Sequence, residues 1–456
     1  MAKTRTVFVC RNCGADSPKW IGRCPSCNQW NTYVEETIVS SRSKSAGFEK
    51  FSDTRPVAIP DIKPSKISRI DCGLEELNRL LGGGIVPGSL ILIGGEPGIG
   101  KSTLALQLAL KTSMKVLYVS GEESPEQIKL RAERVPGANP NCYIYSELNL
   151  ENLINQFMQE KPDLMIVDSI QTIHTDLIES SPGSISQVRE CAAQLLKLAK
   201  TTHTPILLIG HITKDGMLAG PKILEHIVDT VLQFEGDSQY VYRVLRSLKN
   251  RFGSTSELAI FEMEANGLHE IKNPSEIFLS KGDNALSGVA IASTIDGVRP
   301  FLIEAQALVS SAVYGTPQRT ATGFDAKRLN MLLAVLERKA GFNLASKDVF
   351  LNIAGGLRVQ DTATDLAVAV AILSSNFDRV IDHSICMAAE VSLTGELKPV
   401  TRLEQRIAEA ERLGFSQIIV PKFSGKKMTS PGKLIRVVPC SKIEEAIRLI
   451  FKSENQ

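Results

Sequence analysis

The chain has 456 residues, of which 43% are hydrophobic and 22% are charged, as in soluble globular proteins. This length predicts about three domains, and the net charge of +2 excludes a protein that is basic throughout, so any DNA contact must come from a local surface. No apolar run approaches the roughly 20 residues that span a bilayer, and the N-terminus lacks the apolar stretch of a signal peptide. We therefore expect a cytoplasmic protein with no membrane partner.

Two Cys-x-x-Cys pairs lie close to the N-terminus, at Cys10, Cys13, Cys24 and Cys27. Each pair can turn two thiolates toward one ion, and four thiolates complete a tetrahedral zinc site that has no open position. Two disulfides or a redox-active pair do not suit this arrangement in a reducing compartment. The spacing therefore predicts a structural Zn²⁺ site in a finger over residues 1–38.

Two tryptophans, Trp20 and Trp30, lie near these cysteines, and we expect them to cover the small core of the finger. Its cations fit a nucleic-acid contact and a solvated basic surface equally well: they are Arg5, Arg11, Lys19 and Arg23. A polar stretch followed by prolines then predicts a linker over residues 39–66.

After the linker we predict a strand over 89–93 and a helix over 103–110. They are separated by a sequence of the form Gly-x-x-x-x-Gly-Lys-Ser. This is the phosphate-binding P-loop in the strand–loop–helix context that its chemistry requires. Lys101 can place its charge on the β- and γ-phosphates, and Ser102 can ligate Mg²⁺. The pattern predicts ATP binding by Gly95, Glu96, Pro97, Gly98, Ile99, Gly100, Lys101, Ser102 and Thr103.

The next two predicted strands end in acidic residues. Residues 116–119 precede Glu122 and Glu123, and a carboxylate at this point can act as the base that activates water. We favour Glu122 for this role, although both acids could simply begin the next helix. The strand over 164–168 ends at Asp168, in the Walker B position that holds Mg²⁺.

Polar residues also follow the later strands of this α/β domain, which we predict to cover residues 67–272. His211 and Lys214 follow the strand over 206–209, and either could sense the γ-phosphate, contact DNA or cap the strand. Lys249 and Arg251 follow the strand over 240–248. They could contact the γ-phosphate of a neighbouring subunit or a DNA phosphate, or they could form a solvated turn.

Beyond a predicted linker at 273–285 lies an α+β domain over residues 286–456. We predict strands over 288–294, 300–309 and 349–353, and helices over 325–340, 364–374, 403–413 and 443–451.

The segment from Leu81 to Gly88, ahead of the P-loop, resembles the RecA/KaiC/DnaB class of ATPases. The whole set of motifs resembles the bacterial RadA (Sms) family of DNA repair proteins, over essentially the whole chain. The motifs that carry the likeness are the four-Cys finger, the P-loop, residues 120–124, 211–216 and 219–226, and the pentapeptide 249–253.

This resemblance implies an α/β fold with a RecA-like P-loop core, a small N-terminal zinc finger and a C-terminal Lon-protease-like domain of the ribosomal protein S5 type. It also implies a DNA-dependent ATPase that forms a homo-hexameric ring. Such a ring would act as a helicase or branch-migration motor on single-stranded and branched DNA, at the nucleoid and together with the recombinase RecA. ATP, Mg²⁺ and Zn²⁺ are the implied cofactors.

The Lon-like resemblance fails at the catalytic dyad, which consists of a serine and a lysine. Thr364 aligns with the serine and Glu404 with the lysine, so the hydroxyl lacks an amine, and we expect either Thr362 or Thr364 to cap a helix instead. A shifted alignment would recruit Lys398. An ATP-dependent protease is therefore the alternative function, and a KaiC-like switch or kinase is a third. Exposed cations are candidates for lining a DNA channel: Arg319, Lys327, Arg328 and Arg358.

Overall fold

The computed structural model describes residues 3–10, 15–40, 68–211, 224–235, 241–279, 286–297, 299–312, 316–422 and 434–451. The chain divides into two compact units, Met1–Glu270 and Ile271–Gln456. The predicted linker of 39–66 lies almost entirely outside the described residues. The finer division into finger, linker and core stays a prediction.

The N-terminal finger is built on a small antiparallel sheet of three strands, ordered β2-β1-β3. These strands are β1 (Lys3–Cys10), β2 (Asp16–Ser17) and β3 (Tyr33–Ser40). Cys10 at the end of β1 pairs with Tyr33 at the start of β3. This register brings the first cysteine of the finger close to the segment that follows the second Cys-x-x-Cys pair.

Most of the first unit is organised around a nine-stranded sheet, in the order β12-β11-β10-β9-β4-β8-β7-β5-β6. Six neighbouring strands run parallel: β4 (Leu90–Gly95), β5 (Val116–Ser120), β6 (Cys142–Ser146), β7 (Leu164–Asp168), β8 (Ile206–His211) and β9 (Thr230–Glu235). An antiparallel extension adjoins β9: β10 (Tyr242–Asn250), β11 (Leu258–Glu264) and β12 (Gly267–Glu270).

Helices cover both faces of this sheet, which is why its central strands are continuous apolar runs. They are α1 (Glu75–Leu80), α2 (Lys101–Lys111), α3 (Pro125–Ala132), α4 (Leu150–Glu160) and α5 (Ile185–Thr202). Leu104 and Leu108 of α2 belong to the core on one face, whereas Leu153 and Leu195 belong to the core on the other. A capping box between Ser124 and Gln127 sets the start of α3.

The second unit is α+β, with a seven-stranded sheet in the order β15-β16-β14-β13-β17-β20-β21 and a separate β18-β19 pair. The strands are β13 (Val289–Asp296), β14 (Arg299–Ser311), β15 (Arg319–Thr322), β16 (Lys347–Ile353), β17 (Ile385–Met387), β18 (Glu390–Val391), β19 (Leu397–Lys398), β20 (Gln417–Pro421) and β21 (Arg436–Cys440). The helices are α6 (Pro274–Phe278), α7 (Ala326–Arg338), α8 (Asp365–Phe377), α9 (Leu403–Arg412) and α10 (Ile443–Phe451).

All the helices and strands that were predicted for this unit are present, with ends that differ by a few residues. Helix α6 forms inside the segment that was predicted as a linker. None of the helices formed by the described residues is both long and apolar enough to cross a membrane.

Candidate functional site

The P-loop joins the carboxyl end of β4, the central strand of the nine-stranded sheet, to the first turn of α2. Two of its glycines adopt backbone conformations that L side chains rarely tolerate, with φ angles of +75° at Gly98 and +112° at Gly100. A Cβ atom on Gly100 would also approach the Met263 Cε atom to 2.7 Å. The sequence therefore forms a tight backbone loop that opens toward the edge of the sheet, as a phosphate cradle requires.

Lys101, the first residue of α2, is 3% exposed and lies under this loop. Its Nζ atom donates hydrogen bonds to the carbonyl oxygens of Gly95 at 2.9 Å and Glu96 at 2.8 Å. Burial lowers the pKa of Lys101 to about 8, against the opposing influence of the Asp168 and Glu122 charges. The neighbouring Ser102 is the second residue of the helix, so both candidate phosphate and metal groups sit at its N-terminus.

Asp168 lies at the carboxyl end of β7, directly across from Ser120 at the end of β5. Its Oδ2 atom accepts a 2.7 Å hydrogen bond from the hydroxyl of Tyr118, which is fully buried within β5. Burial, reinforced by the charge of Asp168, raises the pKa of Tyr118 well above its ordinary value, so the phenol remains a neutral donor. Sequence reasoning missed Tyr118; its only signal was one hydroxyl within an otherwise apolar strand.

The two acids that follow β5 have different surroundings. Glu122 accepts a 2.7 Å hydrogen bond from the Ser169 hydroxyl, which adjoins Asp168. Glu123 forms an ion pair at 2.7 Å with Arg131 of α3, and its backbone N–H donates to Ser120 Oγ. The geometry therefore directs the carboxylate of Glu122 toward the ends of the central strands and that of Glu123 toward a helix.

His211 at the end of β8 also reaches this cluster, because its Nε2 atom lies 3.3 Å from Glu122 Oε1. The carboxyl ends of β5, β7 and β8 thus bring an acid, a Walker B aspartate and an imidazole to one edge of the sheet. Lys214, the other candidate after β8, lies outside the described residues.

Lys249 and Arg251 are not part of this cluster. β10 runs antiparallel to β9, and its last residue, Asn250, pairs with Thr230 at the start of β9. Thr230 in turn pairs with Ile91 near the start of β4. The two cations therefore lie at the amino end of β4, about one strand length, roughly 17 Å, from the P-loop of the same chain.

At this opposite edge the two cations contact the segment that leads into β9. Lys249 Nζ donates hydrogen bonds to the carbonyl oxygens of Glu225 and Val228, the second at 2.9 Å. Arg251 lies 3.6 Å from the buried Asp229 with its side chain 57% exposed. Burial, with a further contribution from the Arg251 charge, lowers the pKa of Lys249. Lys249 thus anchors the turn, whereas Arg251 presents a cation to solvent.

The thiols of Cys10, Cys24 and Cys27 converge at the finger, with all three Sγ atoms within 4.8 Å of one another. The Sγ atoms of Cys10 and Cys27 lie 3.7 Å apart, close to the ~3.8 Å that two sulfurs of a tetrahedral Zn–S site require. A disulfide bond would bring the two sulfurs to about 2 Å, so the disulfide alternative does not describe this pair. Cys13, the fourth predicted ligand, lies outside the described residues. The residues present fit a zinc ion.

The expectation that the tryptophans cover the finger core was wrong. The core is formed by Cys10, Cys24 and Tyr33 with partly buried neighbours such as Ile21, whereas Trp20 and Trp30 are exposed. Cysteine side chains and one tyrosine are enough to fill the interior of so small a module.

Thr364 occupies the N-cap position of α8, as expected for one of the two threonines, but its side chain makes no capping hydrogen bond. A short helical turn, Thr362–Thr364, precedes α8. The carboxylate of Asp361 caps this turn by accepting from the backbone N–H of Ala363 at 3.1 Å. Thr364 is fully buried and donates its hydroxyl proton to the carbonyl oxygen of Asp361 at 2.8 Å, while Thr362 donates to Glu390. The Asp361 carboxylate accepts from the backbone at this position, whereas the Thr364 side chain packs inward and its hydroxyl donates to a carbonyl oxygen.

Neither aligned partner supplies an amine to Thr364. Glu404 is exposed on the first turn of α9, and Lys398 Nζ pairs with Glu396 at 2.6 Å. Two guanidinium groups pair with the carboxylates beside Thr364: Arg406 lies 2.7 Å from Asp361, and Arg328 Nε donates to Asp365 at 2.6 Å. Arg328, one of the predicted channel cations, is therefore committed to a buried carboxylate, whereas Lys327 and Arg358 are exposed.

Comparison with known proteins settles the family. The chain is 47% identical to the DNA repair protein RadA of Bacillus subtilis over 98% of its own length and 99% of that protein. It is 46% identical to the RadA of Listeria monocytogenes over 98% of both chains. The chain belongs to the RadA family of DNA repair proteins.

Three domain models also match parts of this RadA family member. An AAA domain matches residues 54–217, the rubredoxin metal binding domain matches residues 8–35, and the ChlI subunit of Mg-chelatase matches residues 305–424. Among solved structures, the RadB recombinase aligns with 44% of this chain and 100% of its own, at 24% identity and a TM-score of 0.36.

Proposed function

We propose that this protein is a DNA-dependent ATPase whose hydrolytic site is the P-loop edge of the first unit. Lys101 would hold the phosphates of ATP, together with the backbone N–H groups of residues 95–103. Ser102 and Asp168 provide the oxygen ligands that suit Mg²⁺, which neutralises phosphate charge when bound. The convergence of Lys101, Asp168 and Glu122 is the observation that carries this proposal.

Glu122 is the proposed general base. Its carboxylate accepts from the Ser169 hydroxyl and lies 3.3 Å from the His211 imidazole, whereas the carboxylate of Glu123 is paired with the guanidinium of Arg131. A carboxylate held in this way can accept the proton of the attacking water. The hydrogen bond from Tyr118 fixes the orientation of Asp168, so we assign Tyr118 as a positioning residue.

The placement of Lys249 and Arg251 supports assembly into a ring. They lie at the edge of the sheet opposite the P-loop, so Arg251 cannot reach the nucleotide of its own chain without refolding of the sheet. In a homo-hexamer a neighbouring subunit would bring its exposed guanidinium to the phosphates, or the same group would contact a DNA phosphate.

Within the RadA family, such a ring would use ATP to move on single-stranded and branched DNA, as a helicase or branch-migration motor at the nucleoid of the cytoplasm that cooperates with the recombinase RecA. We further propose that the four cysteines of the finger hold one structural Zn²⁺.

Steady-state ATP hydrolysis with and without single-stranded DNA, measured beside unwinding of a forked duplex, tests the motor proposal. We expect DNA to stimulate turnover of the wild type, and Lys101→Ala to abolish both turnover and unwinding. If DNA changes neither turnover nor affinity and no strand is displaced, the protein is not a DNA motor.

The protease alternative is disfavoured by the surroundings of Thr364. Its hydroxyl is already donated to a backbone carbonyl, and the neighbouring guanidinium groups are always protonated and cannot serve as a base. A KaiC-like kinase without DNA would account for neither the finger nor the exposed Arg251.

A further inference from the structure

Both tryptophans of the chain lie on the finger, and both are largely solvent-exposed. Trp20 is 54% exposed and Trp30 is 67% exposed. They meet across Gly22: a Cβ atom at this glycine would lie 3.7 Å from the indole of Trp20 and 3.8 Å from that of Trp30. The two rings therefore flank Gly22 and form one aromatic surface.

The backbone holds this surface rigidly in place. Arg23 and Trp30 form an antiparallel bridge, and the Asn31 N–H donates to the Gly22 carbonyl at 2.7 Å. The Cys24 N–H donates to the Gln29 carbonyl at 2.9 Å, so the turn that carries two of the proposed zinc ligands also presents Trp30. Because these contacts fix the backbone that carries the rings, stacking on them would cost less conformational entropy than stacking on a loose segment.

The surroundings of the two rings are positively charged. The Arg23 guanidinium lies 5.8 Å from the centre of the Trp30 ring, and its Nε atom donates to the Asn28 carbonyl at 3.2 Å. The exposed Lys19 directly precedes Trp20, and residues 17–34 contain no aspartate or glutamate. A surface of this kind attracts a polyanion with flat faces.

We propose that Trp20 and Trp30 form a stacking surface for the bases of single-stranded DNA, with Arg23 and Lys19 beside the phosphates. Proteins that hold single strands without sequence preference combine aromatic rings with a basic groove, and every base offers a face for stacking. This inference rests on the proposed function, because it gives the DNA of that function a binding surface on the finger.

Tyr143 offers an instructive contrast elsewhere in the protein. It is also exposed, and the Lys115 Nζ atom lies 5.2 Å from its ring centre. That lysine is paired with Glu160 at 2.9 Å, so the cation beside the ring is neutralised. Tyr143→Ala is therefore a matched control: it removes an exposed aromatic ring from a surface that does not suit a polyanion.

The test uses the fluorescence of the full-length protein, because all tryptophan emission comes from this surface. We expect oligo(dT) to quench the emission saturably, and added salt to weaken the binding. Trp20→Ala and Trp30→Ala should each weaken oligo(dT) binding, measured by anisotropy of a labelled oligonucleotide, by roughly five-fold or more. Trp30→Phe should retain most of the affinity, and Tyr143→Ala all of it. Unchanged zinc content will show that the variants keep the finger folded.

The outcomes separate this inference from the proposed function. If DNA stimulates ATP hydrolysis by the wild type but causes no quenching, and the alanine variants bind oligo(dT) normally, the stacking surface is refuted while the motor proposal stands. If the alanine variants keep their DNA affinity but lose binding to purified RecA, the surface is a protein-docking site and the inference is equally refuted. If DNA neither binds nor stimulates, both proposals fail.

Discussion

Two regions of this protein resemble catalytic sites, and their charged side chains have different kinds of partner. At the P-loop edge, Lys101 donates to backbone carbonyl oxygens, and Glu122 contacts a hydroxyl group and an imidazole. At the Thr364 loop, Asp361 and Asp365 are each bound by a guanidinium group, and the threonine hydroxyl donates to a backbone carbonyl.

This difference separates the proposed reactive site from a structural one. Carbonyl and hydroxyl partners can be exchanged for phosphate oxygens or water at small cost, since one hydrogen bond replaces another. A buried ion pair cannot be opened so easily, because separation leaves an uncompensated charge in the interior. A match to a motif therefore predicts chemistry only when its groups have partners that a substrate can replace.

The largest effect should come from Glu122, and it compares the two acids at the P-loop edge. Glu122→Gln removes the base but keeps the shape and the contact with Ser169, so we expect kcat for ATP to fall by about 10²–10⁴-fold with ATP binding retained. Glu123→Gln is the matched control, and turnover should stay near that of the wild type. Steady-state ATPase assays on both variants measure this difference in kcat. Equal losses of kcat would mean that Glu122 is not the base.

Substitutions at the Thr364 loop should lower the stability of the second unit. Arg406 is fully buried, and Arg406→Ala would leave the Asp361 carboxylate without its ion-pair partner. We expect the second unit to lose about 3 kcal/mol of unfolding free energy. Arg412→Ala at the other end of the same helix removes an exposed pair with Glu409 and should cost less than about 1 kcal/mol. Urea denaturation of the two variants measures both losses of unfolding free energy. Equal losses would mean that the buried pair of Arg406 and Asp361 does not stabilise this loop.

At the P-loop edge, in contrast, we expect the KM for ATP to depend on pH. In the proposed site the phosphates of ATP would bind the charged form of Lys101, whose pKa is lowered to about 8 by burial. Above that pH, binding must first add a proton to the amine, so KM for ATP should rise about tenfold per pH unit. Lys101→Arg keeps its charge and should show a flat profile. A wild-type KM that stays constant through alkaline pH would contradict the buried amine.

Tyr118 should give the smallest effect. Tyr118→Phe removes only the hydrogen bond to Asp168, so we expect the Mg²⁺ concentration for half-maximal ATPase to rise about tenfold while kcat at saturating Mg²⁺ changes little. Tyr145→Phe on the neighbouring strand β6 is the control. A fall in kcat that excess Mg²⁺ cannot restore would mean that Tyr118 supports the strand and not the metal ligand.

The sequence predicted the elements of the P-loop edge because each is a short-range pattern. The central strands are apolar runs that end in glycine or an acid, and the P-loop has its helix directly attached. The choice between Glu122 and Glu123 depended on a longer-range fact. Arg131 lies eight residues further on, and only the position of α3 shows that it faces Glu123.

Chain direction and side-chain orientation could not be read from local pattern. Strand β9 was missed, so nothing showed that β10 returns antiparallel and carries Lys249 to the edge opposite the P-loop. The exposure of Trp20 and Trp30 was also hidden, because a finger held by metal ligands needs few large side chains in its core.

The central claim is that ATP hydrolysis belongs to the P-loop edge and that the Thr364 loop is structural. The most direct measurement assays ATP hydrolysis and casein degradation on the same preparations of wild type, Glu122→Gln and Thr364→Val. We predict that only Glu122→Gln loses ATP hydrolysis and that no preparation degrades casein. Degradation of casein by the wild type that disappears in Thr364→Val, or full ATP turnover by Glu122→Gln, would contradict the account.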